Sequence, residues 1–269
     1  MTMSDREKPA KAKKKLPRRK VTLIVVLAAV LVLVIVWADL SGIITLRKTE
    51  DMVGHENSIS ILFVGNSHVF VGKVPQQLQA IARTHDVHIT YKDISRHANR
   101  GGTLSELRER AIGETRSKRF DYVVLTCNWR QISNDFEGFL ENVRVLSDEA
   151  RENGAIPVLY NSPWMIDIDH LDAATESYKQ AADEFDIILV NAAGAWAYAY
   201  QEMPEISLIN RFDPRGPHAN KAGGFMTACV FAATLFDMHI EDIPKDSLYK
   251  GSYAIDLAEA AWEFVHLSP

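Results

Sequence analysis

Short runs of apolar residues alternate with longer amphipathic segments along the chain from Ser58 onward. The apolar runs predict strands at 59–65, 87–94, 121–127, 155–161 and 186–191. The amphipathic segments predict helices near 74–85, 103–117, 136–153, 170–184, 218–236 and 254–265. Because the strand runs are continuously apolar rather than alternating, the pattern indicates parallel strands that are covered on both faces. We therefore predict an α/β fold for residues 58–269, a three-layer α/β/α sandwich around a parallel sheet.

The first 57 residues follow a different pattern. Residues 1–20 carry nine lysines and arginines, and residues 21–38 carry no charge. A helix of 18 residues spans roughly 27 Å, close to the thickness of the hydrocarbon core of a bilayer. We predict a basic cytoplasmic tail at 1–20, one transmembrane helix at 21–40 that acts as a signal anchor, and a linker at 41–57.

The excess of positive charge before the apolar run predicts its orientation in the membrane. The positive-inside rule leaves the N-terminus in the cytoplasm and sends the domain at 58–269 to the periplasm or the cell surface. A cleaved signal peptide is the alternative, because Val36-Trp37-Ala38 loosely fits a cleavage site.

Charge and cysteine content argue against a nucleic-acid-binding protein and against a disulfide-rich protein. Beyond Lys20 the chain carries 21 basic and 33 acidic residues, so its body is acidic. An acidic body argues against a nucleic-acid partner, since phosphate contacts require a basic face. The two cysteines, Cys127 and Cys229, lie in apolar surroundings and predict buried free thiols rather than a disulfide framework.

Candidate chemistry follows the first predicted strand, in the stretch "ILFVGNSHVF". Ligands of open parallel sheets bind beyond the carboxyl ends of the strands, which is where Ser67 lies. Its hydroxyl becomes a nucleophile only when a base removes the proton, and taken alone this stretch also fits a plain turn. The chain has no G-x-S-x-G elbow and no G-x-G-x-x-G after this strand, which argues against an α/β-hydrolase and a dinucleotide site.

Two further strand ends carry hydrogen-bond donors. Gly101, with Gly102 as the alternative, follows the second strand in "RHANRGGTL", and Asn128 follows the third. The Ser67 N–H, the Gly101 N–H and the Asn128 amide together have the composition of an oxyanion hole. A glycine turn and a strand-ending polar residue are the simpler interpretations of 101–102 and 128.

A candidate base comes near the end of the chain, in "RFDPRGPHANKAGG". His218 could accept a proton from Ser67, and Asp213, five residues upstream, could fix the tautomer of its ring. A histidine beside an aspartate in a loop is also common on protein surfaces.

The chain has a serine after the first strand, a glycine after the second, an asparagine after the third and a histidine before a C-terminal helix. This pattern resembles the SGNH/GDSL hydrolase family over most of residues 58–236. The similarity is greatest to bacterial branches that open with "GNS" rather than "GDS". The resemblance implies an SGNH-hydrolase-like, flavodoxin-like fold. It also implies Ser67 as nucleophile and oxyanion donor, Gly101 and Asn128 as further donors, and His218 as the catalytic base.

Two departures from the family pattern affect these assignments. The family's acid usually stands three residues before the histidine, where this chain has Arg215. Asp213 can serve only if the intervening loop bulges by two residues, and the alternative is a Ser–His dyad oriented by a backbone carbonyl. The stretch "TCNWRQ" also lacks the Gly and Asp that usually flank the third block.

The resemblance and the predicted location together favour a membrane-anchored, extracytoplasmic serine esterase that hydrolyses acyl or acetyl esters on envelope carbohydrate. Such an enzyme needs no metal or organic cofactor, and its partners are a small-molecule or glycan ester and the lipid bilayer, through 21–40. An O-acyltransferase with the same residues and a non-catalytic envelope protein that binds glycans or partners are the alternatives. Candidate substrate-binding residues are Asn66, His68, Trp129 and Trp164; for His68 a hydrogen bond at the sheet edge is the alternative.

Overall fold

The computed structural model describes residues 58–98, 102–163, 168–210, 212–213 and 218–267. The predicted tail, membrane helix and linker lie outside these residues, and so do Gly101 and Trp164. Of the helices that the structure does describe, none is both long and apolar enough to cross a membrane.

The described part of the chain is built around a five-stranded sheet with strand order β2-β1-β3-β4-β5. All four neighbouring pairs are parallel, which confirms the predicted parallel sheet. The chain runs from β1 outward to β2 and then returns past β1 to β3. The crevice at this reversal, beyond the carboxyl ends of β1 and β3, is where open α/β sheets bind their ligands. The strands are β1 Ser58–Val64, β2 His88–Asp93, β3 Tyr122–Leu125, β4 Ile156–Tyr160 and β5 Ile188–Val190.

Helices connect these strands and cover both faces of the sheet. The helices are α1 Ser67–Phe70, α2 Val74–Arg83, α3 Leu104–Ser117, α4 Trp129–Asn134, α5 Phe136–Glu152, α6 Ile168–Phe185, α7 Ala192–Glu202, α8 Lys221–Phe236 and α9 Ala254–Leu267, with a 3₁₀ turn at Ser95–His97. A short antiparallel pair, β6 Ile209–Asn210 and β7 His218–Ala219, precedes α8. The predicted helix at 218–236 therefore begins later than expected, because His218 pairs with Asn210 as a strand residue.

Alternate residues of each strand face two separate hydrophobic cores. On one face, Ile61 and Phe63 of β1 pack with residues of α2, α7, α8 and α9. On the other, Leu62 and Val64 pack with residues of α3, α5 and α6. Burial on both faces explains the continuously apolar strand sequences, and the arrangement is the three-layer sandwich that they predicted.

Candidate active site

Ser67 is the first residue of α1, directly beyond the end of β1. Asn66 caps this helix, because its Oδ1 accepts the N–H of His68 at 2.9 Å. Gly65 is needed just before the cap, since a Cβ there would lie 2.2 Å from Cγ2 of Thr126 at the end of β3. The local sequence thus ends β1 sharply and holds the Ser67 hydroxyl at the carboxyl edge of the sheet.

His218 reaches Ser67 from a segment 151 residues away in the chain. Its Nε2 lies 2.8 Å from Ser67 Oγ, which is hydrogen-bond distance. Gln77 supports this approach, because its Nε2 donates to the carbonyl of Gly72, after α1, and to the carbonyl of Lys221, at the start of α8. When Nε2 accepts a hydrogen bond from the Ser67 hydroxyl, the neutral imidazole carries its proton on Nδ1.

Asp213 lies on the other side of the same imidazole. Its Oδ2 is 3.9 Å from His218 Nδ1, within ion-pair distance but longer than a hydrogen bond, and both side chains are more than nine-tenths buried. The residue at the family's usual acid position, Arg215, lies outside the described residues. A carboxylate at this place favours the tautomer with the proton on Nδ1, which leaves Nε2 as the acceptor for Ser67.

The third strand end positions Asn128 through the cap of α4. Asn128 Oδ1 accepts the N–H of Gln131 at 3.0 Å, which leaves the amide Nδ2 as the hydrogen-bond donor of this side chain. Gln131 in turn accepts the N–H of Leu104 through its Oε1, at 3.0 Å. This link joins the start of α3, just after the glycine loop, to the Asn128 block.

Gly102 packs directly against the two residues that precede Ser67. Gly101 lies outside the described residues, but Gly102, the alternative, is described and has a φ of +59°. A Cβ at Gly102 would lie 2.6 Å from Cβ of Asn66 and 2.9 Å from the carbonyl oxygen of Gly65. Only glycine fits both this backbone conformation and this close approach.

His68 is the neighbour of Ser67 in α1 and packs beside the catalytic candidate His218. Its ring centroid is 5.4 Å from that of His218, with the planes inclined by 33°. Burial and, to a lesser extent, the nearby His218 lower the pKa of His68 to about 3, so its ring is neutral near pH 7.

The predicted substrate-binding residues have different environments in the structure. Asn66 and His68 are each 3% exposed, whereas Trp129 is half-buried at the first position of α4. Direct contact of these three side chains with a substrate stays a prediction, and Trp164 lies outside the described residues.

Two residues that support the site, Gln77 and Gln131, were missed in the sequence. Gln131 follows the cap residue Asn128 by three positions, a spacing typical of helix N-termini that signals a local bond. Gln77 offers no such signal, because one of its two partners is 144 residues away.

The cysteine beside Asn128 does not supply a competing nucleophile. Cys127 and Cys229 are both buried and free, as predicted. Burial raises the pKa of Cys127 to about 12, so the thiol is protonated and unreactive near neutral pH. Within the described ranges, no three His, Cys, Asp or Glu side chains are grouped closely enough to hold a metal ion.

A cavity of about 590 Å³ adjoins the site on the side of Asp213. Its wall also includes Ala219, the residue after His218, and it combines apolar side chains with amides and two lysines. This volume falls in the range of small-molecule sites. The polar residues of the wall are Lys73, Gln77, Asn210, Asp213, Asn220 and Lys221.

Comparisons with known proteins find similarity in structure. No protein-family model matches the chain, and no curated protein is similar in sequence. A candidate SGNH hydrolase from Slackia heliotrinireducens superposes with a TM-score of 0.52 at 22% identity, covering 66% of this chain and 100% of that one. A DUF4886 family protein from Bacteroides uniformis gives 0.58 at 13% identity, covering 79% and 96%. The protein TesA gives 0.51 at 15% identity, covering 66% and 98%.

At these identities the similarity concerns the fold. In this chain the Ser67–His218 contact lies at the carboxyl edge of the parallel sheet. The resemblance seen in the sequence is thus confirmed at the level of structure: this chain has the parallel α/β fold of the SGNH hydrolases.

Proposed function

We propose that this protein is a serine hydrolase of ester bonds, with Ser67 as the nucleophile and His218 as the general base. The observation that carries the proposal is the 2.8 Å distance between Ser67 Oγ and His218 Nε2, at a sheet edge where ligands of this fold class bind. A serine hydroxyl becomes a nucleophile when an adjacent base removes its proton, and His218 lies at the distance that this transfer requires.

The reaction begins when Ser67 Oγ attacks the ester carbonyl carbon while His218 Nε2 takes the hydroxyl proton. The tetrahedral oxyanion accepts hydrogen bonds from the Ser67 N–H, the Asn128 amide and an N–H of the glycine loop, each worth about 2.7–4 kcal/mol of barrier. Asp213 stabilises the imidazolium that forms at this step.

The intermediate collapses to an acyl-Ser67 ester as the leaving alcohol takes the proton from His218. Water then attacks the acyl carbonyl, and His218 Nε2 accepts the proton of that water. Release of the carboxylic acid returns the proton to Ser67 Oγ and restores the resting site.

We place the substrates among acyl or acetyl esters of envelope carbohydrate. The cavity that Asp213 lines supports a polar ligand next to the site, because amides and lysines in its wall can hydrogen-bond the hydroxyl groups of a sugar, although neither Ser67 nor His218 is part of that wall. The predicted location of the domain supports this choice of substrates as well, since a catalytic domain outside the cytoplasm meets the glycans of the envelope.

The location itself is a proposal that rests on residues 1–38. An alkaline phosphatase reporter joined to the C-terminus of the full chain is active only outside the cytoplasm, so we expect activity in intact cells. A reporter that is inactive, or a chain that washes off membranes with salt and alkali, would contradict the anchored, extracytoplasmic arrangement.

Labelling with a fluorophosphonate tests the nucleophile. We expect the full-length wild-type chain to become labelled and Ser67→Ala to remain unlabelled, because the probe bonds only to an activated hydroxyl. Ser162→Ala is the matched control, since Ser162 also lies just past a strand, at the end of β4, and is 4% exposed. An unlabelled wild type, or equal labelling of Ser67→Ala, would remove the proposal.

Hydrolysis and acyl transfer share the same acyl-Ser67 intermediate, so labelling does not separate them. Product analysis does, with p-nitrophenyl esters of graded chain length incubated with and without a glycan acceptor. We expect free acid in both mixtures; an acylated glycan as the main product would assign the chain to the O-acyltransferases.

A further inference from the structure

The buried ring of His68 takes no part in the proton transfers described above, yet it lies in the centre of the site. It follows Ser67 directly in α1, is 3% exposed, and has its ring centroid 5.4 Å from that of His218. A polar aromatic side chain at such a place needs a reason, because a buried imidazole is costly to desolvate.

The same turn of helix positions Ser67 and His68. Asn66 Oδ1 holds the N–H of His68 at 2.9 Å, which fixes the first turn of α1 and with it the directions of both side chains. As a result, Ser67 Oγ meets the Nε2 edge of His218 while the ring of His68 packs beside the ring of His218.

The orientation of the His218 ring decides whether its Nε2 meets Ser67 Oγ. The contact of its Nδ1 with Asp213 Oδ2 is 3.9 Å long, an ion-pair distance, and such a contact is less directional than a short hydrogen bond. Rotation of the imidazole about its side-chain bonds would carry Nε2 away from Ser67 Oγ. A misplacement of about 1 Å between reacting groups can cost about 10²-fold in rate.

We propose that His68 is a positioning residue: its ring fills the space beside His218 and keeps the His218 imidazole in line with Ser67 Oγ. The inference rests on the proposed serine hydrolase function and adds a residue to it. Because the pKa of His68 is lowered to about 3, its ring carries no charge when His218 becomes an imidazolium during turnover. It therefore packs against the base without repelling the charged form.

The test compares three variants of the full-length chain with wild type. His68→Ala removes the ring, His68→Phe restores an aromatic ring of similar shape, and Val69→Ala is the control, since Val69 is the next residue of α1 and is fully buried. The readouts are the fluorophosphonate labelling rate, kcat and KM on a p-nitrophenyl ester, and the thermal unfolding midpoint.

We expect His68→Ala to lower kcat by about 10- to 100-fold with KM changed by less than about threefold, because the ring orients the base and is not open to substrate. His68→Phe should recover kcat to within about threefold of wild type, since packing is the property it retains. Val69→Ala should lower the unfolding midpoint while kcat stays near the wild-type value.

Three results would overturn the inference. They are a His68→Ala kcat within about twofold of wild type, a folded His68→Phe as slow as His68→Ala, and a rise in KM with kcat unchanged, which would place His68 in substrate contact. If His68→Ala does not fold, His68→Leu takes its place, because leucine fills the core without a flat ring. Failure of the wild type itself to label would remove the proposed function, whereas a labelled wild type with an equally fast His68→Ala removes only the role of His68.

Discussion

Gly224 in α8 lies so close to Gly72, in the turn after α1, that a Cβ on Gly224 would be 1.9 Å from the Gly72 carbonyl oxygen. A Cβ on Gly72 would likewise lie 3.1 Å from the Cα of Gly224. Because neither residue has a side chain, two backbone segments meet directly. This contact brings the start of α8, just after His218, against the turn that follows Ser67.

Gly224→Ala should therefore damage both stability and activity. The added methyl group must push α8 away from the turn that follows α1, at a cost of about 1–3 kcal/mol in the free energy of unfolding. The same shift lengthens the distance from Ser67 Oγ to His218 Nε2, so we expect kcat to fall as well. Denaturant unfolding and ester hydrolysis measure the two effects.

Gly113→Ala is the matched control for that substitution. Gly113 lies on the exposed side of α3, and no heavy atom is within 4 Å of the place where its Cβ would be. Alanine in a helix is favoured over glycine, so this variant should gain up to about 1 kcal/mol and keep full activity. A Gly224→Ala variant that behaves like Gly113→Ala would show that the close backbone contact is unimportant.

Asp213→Asn tests whether a side chain orients His218. The substitution keeps the shape of Asp213 but removes its charge, so the imidazolium and the correct tautomer lose their support. We expect kcat to fall by about 10²- to 10⁴-fold with an unchanged unfolding midpoint. A rate near that of wild type would instead establish a Ser–His dyad.

Gly102→Ala tests the contact of Gly102 with Gly65 and Asn66, the two residues before Ser67. A methyl group at a φ of +59° is strained, and here it would also lie 2.6 Å from Cβ of Asn66. We expect a loss of stability of more than about 1 kcal/mol and a clear fall in fluorophosphonate labelling, since Asn66 precedes the nucleophile. Labelling at the wild-type rate would mean that the loop can move without disturbing Ser67.

His68 should make the stability of the protein depend on pH in the acid range. In the unfolded chain His68 has a pKa near 6.5, whereas in the folded protein burial lowers this pKa to about 3. Between these values unfolding takes up a proton at this site. The free energy of unfolding therefore falls as the pH falls, by up to about 1.4 kcal/mol per pH unit.

His68→Phe removes this titrating group, so its stability should fall less steeply on acidification. Denaturant unfolding of both proteins between pH 6 and pH 4 measures the difference in slope. Identical slopes would show that His68 is already charged in the folded protein, or reaches solvent there.

Much of the secondary structure could be read from local pattern, because burial on both sheet faces leaves a continuous apolar run. The strand predicted at 155–161 is observed as Ile156–Tyr160, and the helix predicted at 136–153 as Phe136–Glu152. The helix α4 was missed because its six residues are too few to show a helical period.

The residues of the site likewise divide into those that the sequence predicted and those that it did not. Ser67, Asn128 and His218 were predicted from their places next to elements, a signal that is local in the sequence. Asp213 could be proposed only as one of two alternatives, since its approach to His218 depends on the path of the loop between them. The packing of His68 on His218 had no signal at all in the sequence.

The sequence by itself determined which segments are buried strands and that Ser67 stands at the end of the first, because the period of apolar residues records burial residue by residue. Only the tertiary structure decided that an imidazole 151 residues later lies 2.8 Å from that hydroxyl, with a carboxylate on one side and a second imidazole beside it. These distances depend on how closely distant backbones pack, as at Gly72 and Gly224, and such close packing has no periodic trace along the chain.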